Sequence, residues 1–363
     1  MEIGLVIRCR LCLMPDTRPD TEFVDGVCSA CIAYDKRKDI DWDARKDELL
    51  RILSDAPNRD YTCIVPSSGG KDSHWQVLTL LELGARPLVV TATTCHLTPI
   101  GRRNLDNLSR YADTIEITPN REVRARINKL SLELVGDISW AEHVLIHTVP
   151  FTMAAQMDIP LVFYGENPLC EYGGPLELQS HNRMTRRWVS EFGGFLGMRP
   201  ADFVAMEGIT EQDMAPYIYN PGLVLPELAF EVYFLGQFLP WDSRQNAAKA
   251  MQHGFEPMLP CQANWWRFGE NLDNAQTGIH DYFMWLKYGY GRACAQLSVD
   301  IRSGIITREN ALKELECRDG LFPESYCGVP MSSILDRIGL TRAELNKIMA
   351  DYDTRRQNNS PIT

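Results

Sequence analysis

The residues with the clearest chemical potential form a short segment, SGGKDS, at positions 68–73. An apolar run that predicts a buried strand, Tyr61–Pro66, precedes it, and an amphipathic run that predicts a helix from about Asp72 to Gly84 follows it. Strand, loop and helix in this order direct backbone N–H groups towards a phosphate. The glycines let the backbone approach the anion, and the lysine adds a positive charge. The segment therefore predicts a phosphate-binding loop, against the alternative of a tight turn that binds nothing.

Four cysteines near the start of the chain have the spacing of a metal site. Cys9 and Cys12 form one C-x-x-C pair, and Cys28 and Cys31 form a second pair after fifteen intervening residues. Each pair supplies two thiolates from one tight turn, and two pairs complete a tetrahedron of zinc ligands. Because protein would occupy all four positions, we expect a structural zinc ion. A disulfide pair and an iron–sulfur cluster are the alternatives, and a reducing compartment disfavours the first.

Length and composition indicate a globular protein of two or three domains. The 363 residues are 45% hydrophobic and 23% charged, with a net charge of −11, which argues against a surface built mainly to hold nucleic acid. No apolar run approaches the roughly 20 residues of a membrane helix. The first residues lack the pattern of a signal peptide. We therefore expect a cytoplasmic protein with no membrane span.

The elements that must position the loop alternate along the chain. Further strands are predicted at 87–92, 114–117 and 160–164, and helices are predicted at 104–112, 123–135 and 143–157. This alternation predicts an α/β fold with a parallel sheet that is covered by helices on both faces. After about residue 175 the strand signal fades. The predicted domains are a zinc ribbon at 1–40, a linking helix at 41–57, the α/β domain at 58–240 and a mainly helical C-terminal region at 241–363.

Polar residues cluster at the predicted carboxyl ends of the strands. The loop follows the first strand, the stretch Thr91–His96 ends the second, and Gly165–Asn167 follows the fourth. Ligands of parallel α/β sheets bind at these ends. We therefore expect the three segments to meet in one cleft.

The sequence also resembles known families. The loop lacks the Walker A pattern and resembles the PP-loop of adenine nucleotide alpha hydrolase-like enzymes, which cleave ATP between the α and β phosphates. Most of the chain resembles the N-acetyl sugar amidotransferases of bacterial surface-polysaccharide synthesis (lipopolysaccharide O-antigen and pseudaminic-type sugars). Segments 7–31, 68–73, 160–174 and 280–304 carry this likeness by their order and spacing. Ser67 and the stretch 94–97 depart from the family pattern.

The resemblance implies an ATP-dependent conversion of an N-acetyl group, on a nucleotide-linked sugar, to an acetamidino group. The amide oxygen attacks the α-phosphate of ATP and pyrophosphate leaves. Ammonia then adds to the adenylated imidate, and AMP leaves with the former amide oxygen. An amide is a poor electrophile, and phosphorylating its oxygen creates a good leaving group, so such an enzyme mainly positions reactants and neutralises charge.

Roles for the loop and strand-end residues follow from this chemistry. Lys71 is expected to stabilise charge on pyrophosphate, and Asp72 to hold Mg2+, with a helix N-terminal acid as its alternative. Glu166 and Asn167 are expected to bind Mg2+ or the reacting amide, with a helix cap as their alternative. The predicted catalytic residues are Lys71, Asp72, Glu166 and Asn167; the predicted nucleotide-binding residues are Ser68, Gly69, Gly70, Lys71, Asp72, Ser73, Thr91 and Gly165.

Two further groups are candidates for binding the sugar nucleotide. Basic residues near position 185 could clamp a diphosphate or a carboxylate, or form a solvated basic face. The aromatic and polar segment 280–292 could form a sugar or base platform, or pack in the core. The predicted substrate residues are Arg183, Arg187, His280, Tyr282, Lys287 and Arg292.

The chain contains no recognisable glutaminase. Glu2, not cysteine, follows Met1, and no cysteine outside the quartet has the flanks of a nucleophile elbow. We therefore expect ammonia from a separate glutaminase, which the resemblance implies is related to that of histidine biosynthesis, with or without a cyclase-like barrel subunit.

Two other functions compete with this interpretation. A tRNA thiolase also joins a cysteine ribbon to this loop and uses a reactive cysteine, for which Cys63, Cys95 or Cys170 would serve. The acidic balance and the lack of another C-x-x-C pair after residue 31 argue against it. A nucleotide-binding subunit without catalytic activity is the second alternative.

Overall fold

The computed structural model describes residues 6–56, 60–180, 183–218, 230–258 and 263–357 of the chain. Among the helices in these ranges, none combines the length and the hydrophobicity needed to cross a bilayer.

The central element is a parallel five-stranded sheet. The strands are β1 (Phe23–Val24), β2 (Val27–Cys28), β3 (Cys63–Pro66), β4 (Pro87–Ala92), β5 (Thr114–Ile117), β6 (Leu161–Tyr164), β7 (Glu231–Phe234), β8 (Ser325–Tyr326) and β9 (Val329–Pro330). The sheet has the order β5-β4-β3-β6-β7 with every neighbouring pair parallel, whereas β1 with β2 and β8 with β9 form small antiparallel hairpins. Because β3 is central, its carboxyl end lies between those of β4 and β6. The predicted α/β fold with a parallel sheet is confirmed.

Helices cover the sheet and form most of the chain after it. They are α1 (Ser29–Lys36), α2 (Trp42–Asp55), α3 (Lys71–Glu82), α4 (Pro99–Leu108), α5 (Arg121–Val135), α6 (Trp140–Met157), α7 (Pro168–Glu171), α8 (Arg186–Phe192), α9 (Glu211–Met214), α10 (Ser243–Gln252), α11 (Thr277–Tyr288), α12 (Arg292–Arg302), α13 (Arg308–Glu316), α14 (Met331–Ile338) and α15 (Arg342–Gln357).

Successive strand residues pack on opposite faces of the sheet. Ile64 belongs to an apolar cluster with α5 and α6 residues such as Trp140, whereas Val65 belongs to a cluster with α2 and α3 residues such as Leu49 and Val77. Both faces of the central strands β3, β4 and β6 are therefore buried, which explains why these strand sequences are nearly continuous apolar runs.

The structure differs from the predicted elements in two places. The edge strand β7 was not predicted, because a four-residue run between other apolar residues carries no clear period. Helix α4 begins and ends earlier than the predicted range 104–112. Thr98 caps it by accepting a hydrogen bond from the Gly101 N–H at 2.9 Å, and Pro99 occupies the first turn, where proline is tolerated.

The C-terminal region docks at the carboxyl edge of the sheet through the loop between β4 and α4. The Thr98 N–H donates to Asp273 O at 3.0 Å, and the Ala275 N–H donates to His96 O at 3.0 Å. Gly101 completes this contact, because a Cβ on it would lie 2.4 Å from Asp273 Cα. The backbone of residues 272–275 is therefore fixed against the sheet.

We predict that Gly101→Ala lowers the free energy of unfolding by about 1–3 kcal/mol, because the added methyl group must displace backbone. Urea denaturation measures this. Arg103→Ala, on the exposed side of the same helix, removes a surface ion pair with Glu256 and a hydrogen bond to Pro99 O, and should change the free energy of unfolding by less than about 1 kcal/mol. Equal effects of the two substitutions would contradict the docking contact.

Candidate functional site

The loop at 68–73 lies at the carboxyl end of β3 and leads directly into α3. Gly69 has a φ of +77°, a left-handed conformation that glycine adopts without strain. A Cβ on Gly69 would lie 2.8 Å from Leu105 Cγ, so packing against α4 also requires glycine. Gly70 is the N-cap of α3 and offers no side-chain cap. The first N–H groups of the helix are thus arranged to donate to an anionic oxygen.

His74 and Asn107 support the loop through one hydrogen-bonded chain. His74 Nδ1 lies 3.0 Å from Gly70 O, and His74 Nε2 lies 3.1 Å from Asn107 Nδ2. Burial lowers the pKa of His74, which favours the neutral ring. The only tautomer that satisfies both contacts carries the proton on Nδ1, so His74 donates to the loop carbonyl and accepts from the amide.

Lys71 is a buried cation surrounded by carboxylates and aromatic rings. Its side chain is 4% exposed; Nζ pairs with Asp72 and lies 3.8 Å from Glu270 Oε1. Nζ also lies 5.4 Å from the ring centroid of Trp266 and 5.6 Å from that of Phe268. Burial lowers the pKa of Lys71, but the adjacent carboxylates outweigh it and the pKa is raised. Lys71 therefore stays charged at neutral pH.

Two carboxyl groups meet beside this lysine. Asp72 Oδ1 accepts a hydrogen bond from Asn246 Nδ2 at 3.0 Å, which directs the other oxygen towards Lys71. Burial first, and the charge of Asp72 second, raise the pKa of Glu166 to about 7 against the opposing effect of Lys71. A carboxyl group with that pKa exchanges a proton near neutral pH, which is a property of general acids and bases.

The remaining strand-end residues have mixed roles. Thr91 Oγ1 is buried without a hydrogen-bond partner at the end of β4. A Cβ on Gly165 would lie 2.6 Å from the Trp241 ring, so that glycine permits close packing. Asn167 caps α7 by accepting from the Leu169 N–H at 3.1 Å, while its Nδ2 is buried without a partner. The cap alternative thus applies to one end of the Asn167 amide, and the other end is free to donate.

A chain of ion pairs connects the loop to the segment 280–292. Glu270, beside Lys71, lies 3.6 Å from an Arg292 nitrogen. Arg292 makes two hydrogen bonds to Asp281, at 3.0 and 2.7 Å, and Asp281 lies 3.0 Å from His280 Nδ1. Two predicted substrate residues, His280 and Arg292, therefore belong to one network with Lys71, although Arg292 is occupied by carboxylates.

The other predicted substrate residues lie in three different surroundings. Arg183 pairs with Glu231 at 2.6 Å on the exposed edge of β7, and Arg187 pairs with Glu191 at 2.8 Å. Tyr282 packs near Trp285 and Phe322. Lys287 is buried, and its Nζ donates to Val135 O at 3.0 Å. The structure brings none of these four beside the loop.

Two cavities flank the strand ends. One, of about 340 Å³, lies between α1 and the segments that follow β6 and β7, and its lining includes Glu166, Asn167, Arg37, Trp42 and Trp241. The second, of about 430 Å³, includes His280, Lys287, Arg18, Tyr288 and Tyr290 in its lining. The first cavity reaches the carboxyl group of raised pKa, so a substrate in it would meet Glu166.

The four cysteines of the ribbon lie together and are all buried. The Sγ atoms of Cys9 and Cys31 are 3.8 Å apart, and those of Cys12 and Cys28 are 3.6 Å apart. A tetrahedral zinc ion with bonds of about 2.3 Å requires sulfur atoms about 3.8 Å apart, whereas a disulfide requires about 2.05 Å. The cluster is compatible with a structural zinc site.

The ribbon is anchored on the C-terminal region. Arg308 donates to the carbonyl oxygens of Cys12 and Cys9, at 3.0 and 3.3 Å. The Leu13 N–H donates to Ser298 Oγ at 3.2 Å. The cysteine cluster thus fixes a surface on which α12 and α13 rest.

Four cysteines outside the ribbon, three buried and one half-buried, lack the features of reactive thiols. Burial raises the pKa of Cys95 to about 11 and those of Cys170 and Cys294 to about 12, and it also raises the pKa of Cys63. A reactive cysteine needs a lowered pKa. Cys261 lies outside the described residues.

Several residues that shape the site were missed in the sequence. Glu270 and Trp266 reach Lys71 from a segment about 200 positions away, and Asn246 reaches Asp72 from α10. No local pattern marks them. Only His74 had a local signal, because it lies one helical turn after Gly70.

The C-terminal region matches a known protein family. Residues 262–360 match the family described as LPS biosynthesis protein WbpG-like, C-terminal domain. This confirms the resemblance to a bacterial polysaccharide-biosynthesis family that the sequence motifs predicted. The chain has no significant match among curated proteins.

We predict that Glu166→Gln changes how stability depends on pH. The folded state raises the pKa of this carboxyl from 4.5 to about 7, so it binds a proton that the unfolded chain releases. The free energy of unfolding therefore falls as pH rises through that window, and glutamine removes about 1–3 kcal/mol of this loss. Urea denaturation at pH 5 and pH 8 without nucleotide measures it. If Glu166→Gln changed the free energy of unfolding by the same amount at pH 5 and at pH 8, the raised pKa of Glu166 would be contradicted.

We also predict that Cys28→Ser loses the metal of the ribbon and several kcal/mol of stability, because the metal contributes folding energy directly. Cys317→Ser, at an exposed cysteine, is the matched control and should retain both. Metal content by atomic emission and thermal unfolding are the measurements. Unchanged metal content in the first variant would refute the cysteine site.

Proposed function

Because residues 262–360 carry a domain of the WbpG-like lipopolysaccharide biosynthesis proteins, we propose that the chain is an ATP-dependent amidotransferase acting on a nucleotide-activated sugar. It would convert an N-acetyl group to an acetamidino group and release AMP and pyrophosphate. The observation that carries the proposal is the buried, charged Lys71 at the start of α3, which follows two glycines and pairs with the carboxyl groups of Asp72 and Glu270.

The loop supports binding of the β and γ phosphates of ATP. The N-terminus of α3 and the backbone of Ser68, Gly69 and Gly70 would donate to the phosphate oxygens, with the Ser68 and Ser73 hydroxyls adding further contacts. Lys71 would exchange its contact with Asp72 for one with phosphate. Thr91, whose hydroxyl is buried without a partner, would donate to the nucleotide.

Asp72 and Glu166 would serve the departing pyrophosphate indirectly, by holding a cation that neutralises its charge. Asp72 has the oxygen ligands that Mg2+ prefers, and Glu166 lies close enough to be affected by its charge. Mg2+ held by Asp72 would supply positive charge to the phosphates. Lys71 would add a positive charge from the protein. Its aromatic neighbours Trp266 and Phe268 exclude water, which strengthens the attraction between the ammonium group and the phosphates.

The acceptor sugar fits the cavity beside Glu166. Tyr34 and Trp241 line it with apolar surface, and Arg37 offers a guanidinium for an anionic group. Asn167 Nδ2, which has no partner in the protein, would donate to the oxygen of the N-acetyl group. This would orient the oxygen for attack on the α-phosphate.

The proposed reaction proceeds in two displacements. The amide oxygen forms a bond to the α-phosphorus, and the bond to the β-phosphate oxygen breaks. Ammonia then forms a bond to the imidate carbon, the bond from that carbon to oxygen breaks, and AMP departs with the oxygen. Glu166, with a pKa of about 7, would accept the proton that the added nitrogen loses.

The ammonia would come from a separate glutaminase. The raised pKa values of Cys95, Cys170 and Cys294 disfavour glutamine hydrolysis by these thiols and the cysteine chemistry of a tRNA thiolase. The partner would be a histidine-pathway-like glutaminase, with or without a barrel subunit. The four ribbon cysteines would hold structural zinc.

Isotope transfer tests the reaction directly. Candidate sugar nucleotides that carry 18O in the N-acetyl carbonyl are incubated with the protein, ATP, Mg2+ and ammonium. We predict that the label appears in AMP, as detected by mass spectrometry, because the amide oxygen departs with the adenylyl group. Label that stays in the sugar while AMP forms would contradict the mechanism.

Replacing the loop lysine tests the site. We predict that Lys71→Met lowers AMP formation by about 100–1,000-fold, the usual loss for a group that stabilises developing charge. Lys249→Met is the matched control, because Lys249 contacts the opposite end of α3 through Thr79 and Glu82. Circular dichroism checks that both variants fold. Equal rates of AMP formation in the two variants would show that Lys71 takes no part in the reaction.

A further inference from the structure

Three potential metal ligands converge in the second cavity, away from the loop. Asp137 lies between α5 and α6, His143 lies on α6, and His280 lies on α11. The ligand atoms all lie within 4.8 Å of one another. His143 Nδ1 is 2.9 Å from one Asp137 oxygen, and His280 Nε2 is 3.9 Å from the other. A four-coordinate ion with bonds of about 2.0–2.1 Å holds its ligands about 3.3 Å apart, in the middle of this range.

The contact between His143 and Asp137 is close but is not a hydrogen bond. His143 Nδ1 is buried, and despite the distance of 2.9 Å its direction leaves it without a hydrogen-bond partner. An imidazole nitrogen and a carboxylate oxygen at this separation are both available as ligands of one divalent metal ion.

The surroundings hold these side chains as outer-shell residues hold metal ligands. Asp281 binds His280 Nδ1 at 3.0 Å, which leaves His280 Nε2 as the free ligand nitrogen, and Arg292 fixes Asp281 with two hydrogen bonds. Asp137 Oδ1 accepts from the Ser139 N–H at 2.8 Å. A carboxylate on the far nitrogen of a ligating histidine is the usual support of such sites.

We propose that Asp137, His143 and His280 bind a first-row divalent metal ion such as Zn2+. Two imidazoles and one carboxylate leave at least one coordination position for a ligand from outside. All three residues line the cavity of about 430 Å³, together with Arg18 and Lys287, so that position faces a space bordered by cationic groups. An anionic or hydroxyl oxygen is the class of ligand that this arrangement accepts.

Lys287 is the group that would oppose a cation here. Its Nζ is directed to Val135 O at 3.0 Å, and burial lowers the pKa of Lys287 while Asp137 partly raises it. The hydrogen bond engages the Lys287 head group with a backbone carbonyl of α5. Lys287 and a bound ion are therefore compatible.

This ion takes no part in the proposed adenylation, so the two proposals fail independently. Metal content by atomic emission tests the site, after dialysis of the full chain against Zn2+ and removal of free metal. We expect wild type to hold two zinc ions, one in the cysteine cluster and one here. His143→Ala and His280→Ala should each hold one, whereas His253→Ala, outside the cluster, should hold two.

Cobalt substitution identifies which site is lost. The cysteine cluster gives intense thiolate charge-transfer absorption, which His143→Ala should leave unchanged while the second equivalent of Co2+ no longer binds. Asp281→Asn should weaken Co2+ binding at the second site by about 10–100-fold. A single metal ion in wild type, or two in both histidine variants, would overturn the proposal and leave a hydrogen-bonded cluster without metal.

Discussion

The neutralisation of one buried ammonium group governs the architecture around the loop. Lys71 Nζ is nearly inaccessible to water, and a charge in that position is tolerated only with partners. Asp72 supplies one partner from the same helix, and Glu270 supplies the other from the C-terminal region. The loop therefore has a stable charge balance only when the C-terminal region is docked on the sheet.

This dependence joins the two halves of the chain into one functional unit. Glu270, Asp281 and Arg292 all lie within residues 262–360, the part that matches the WbpG-like domain. They form a continuous line of ion pairs that starts at Lys71. Close packing at Gly101 and the hydrogen bonds of residues 96–98 hold that line in register with the sheet. The C-terminal region thus completes the surroundings of the loop.

Local signals explain what could be predicted from the sequence. The strand at 87–92 matches the structure because it is a buried apolar run, and the strand at 114–117 matches because its isoleucines alternate with polar residues on a half-exposed edge strand. The cysteine cluster follows from spacing alone. The edge strand β7 is too short to show a period, and the start of α4 is determined by a threonine cap that competes with its apolar pattern. The domain limits remain predictions.

The site was only partly predictable for a related reason. The glycines, Lys71 and Asp72 are adjacent in the sequence, so together they form a motif that can be recognised from the sequence alone. Glu270, Trp266 and Asn246 act through tertiary contacts with no periodic signature. Arg292 shows what tertiary contacts add: it was predicted from its segment as a substrate residue, and it lies in ion pairs with Asp281 and Glu270. Its role in substrate binding stays a prediction.

The most direct test of the central claim is a crystal structure with the non-cleavable analogue α,β-methylene-ATP bound. The account predicts that the β-phosphate accepts hydrogen bonds from the N–H groups at the start of α3, and that Lys71 Nζ moves from Asp72 to a phosphate oxygen. The α-phosphorus should face the cavity beside Glu166. A triphosphate bound elsewhere, with Lys71 still paired to Asp72 and Glu270, would contradict it.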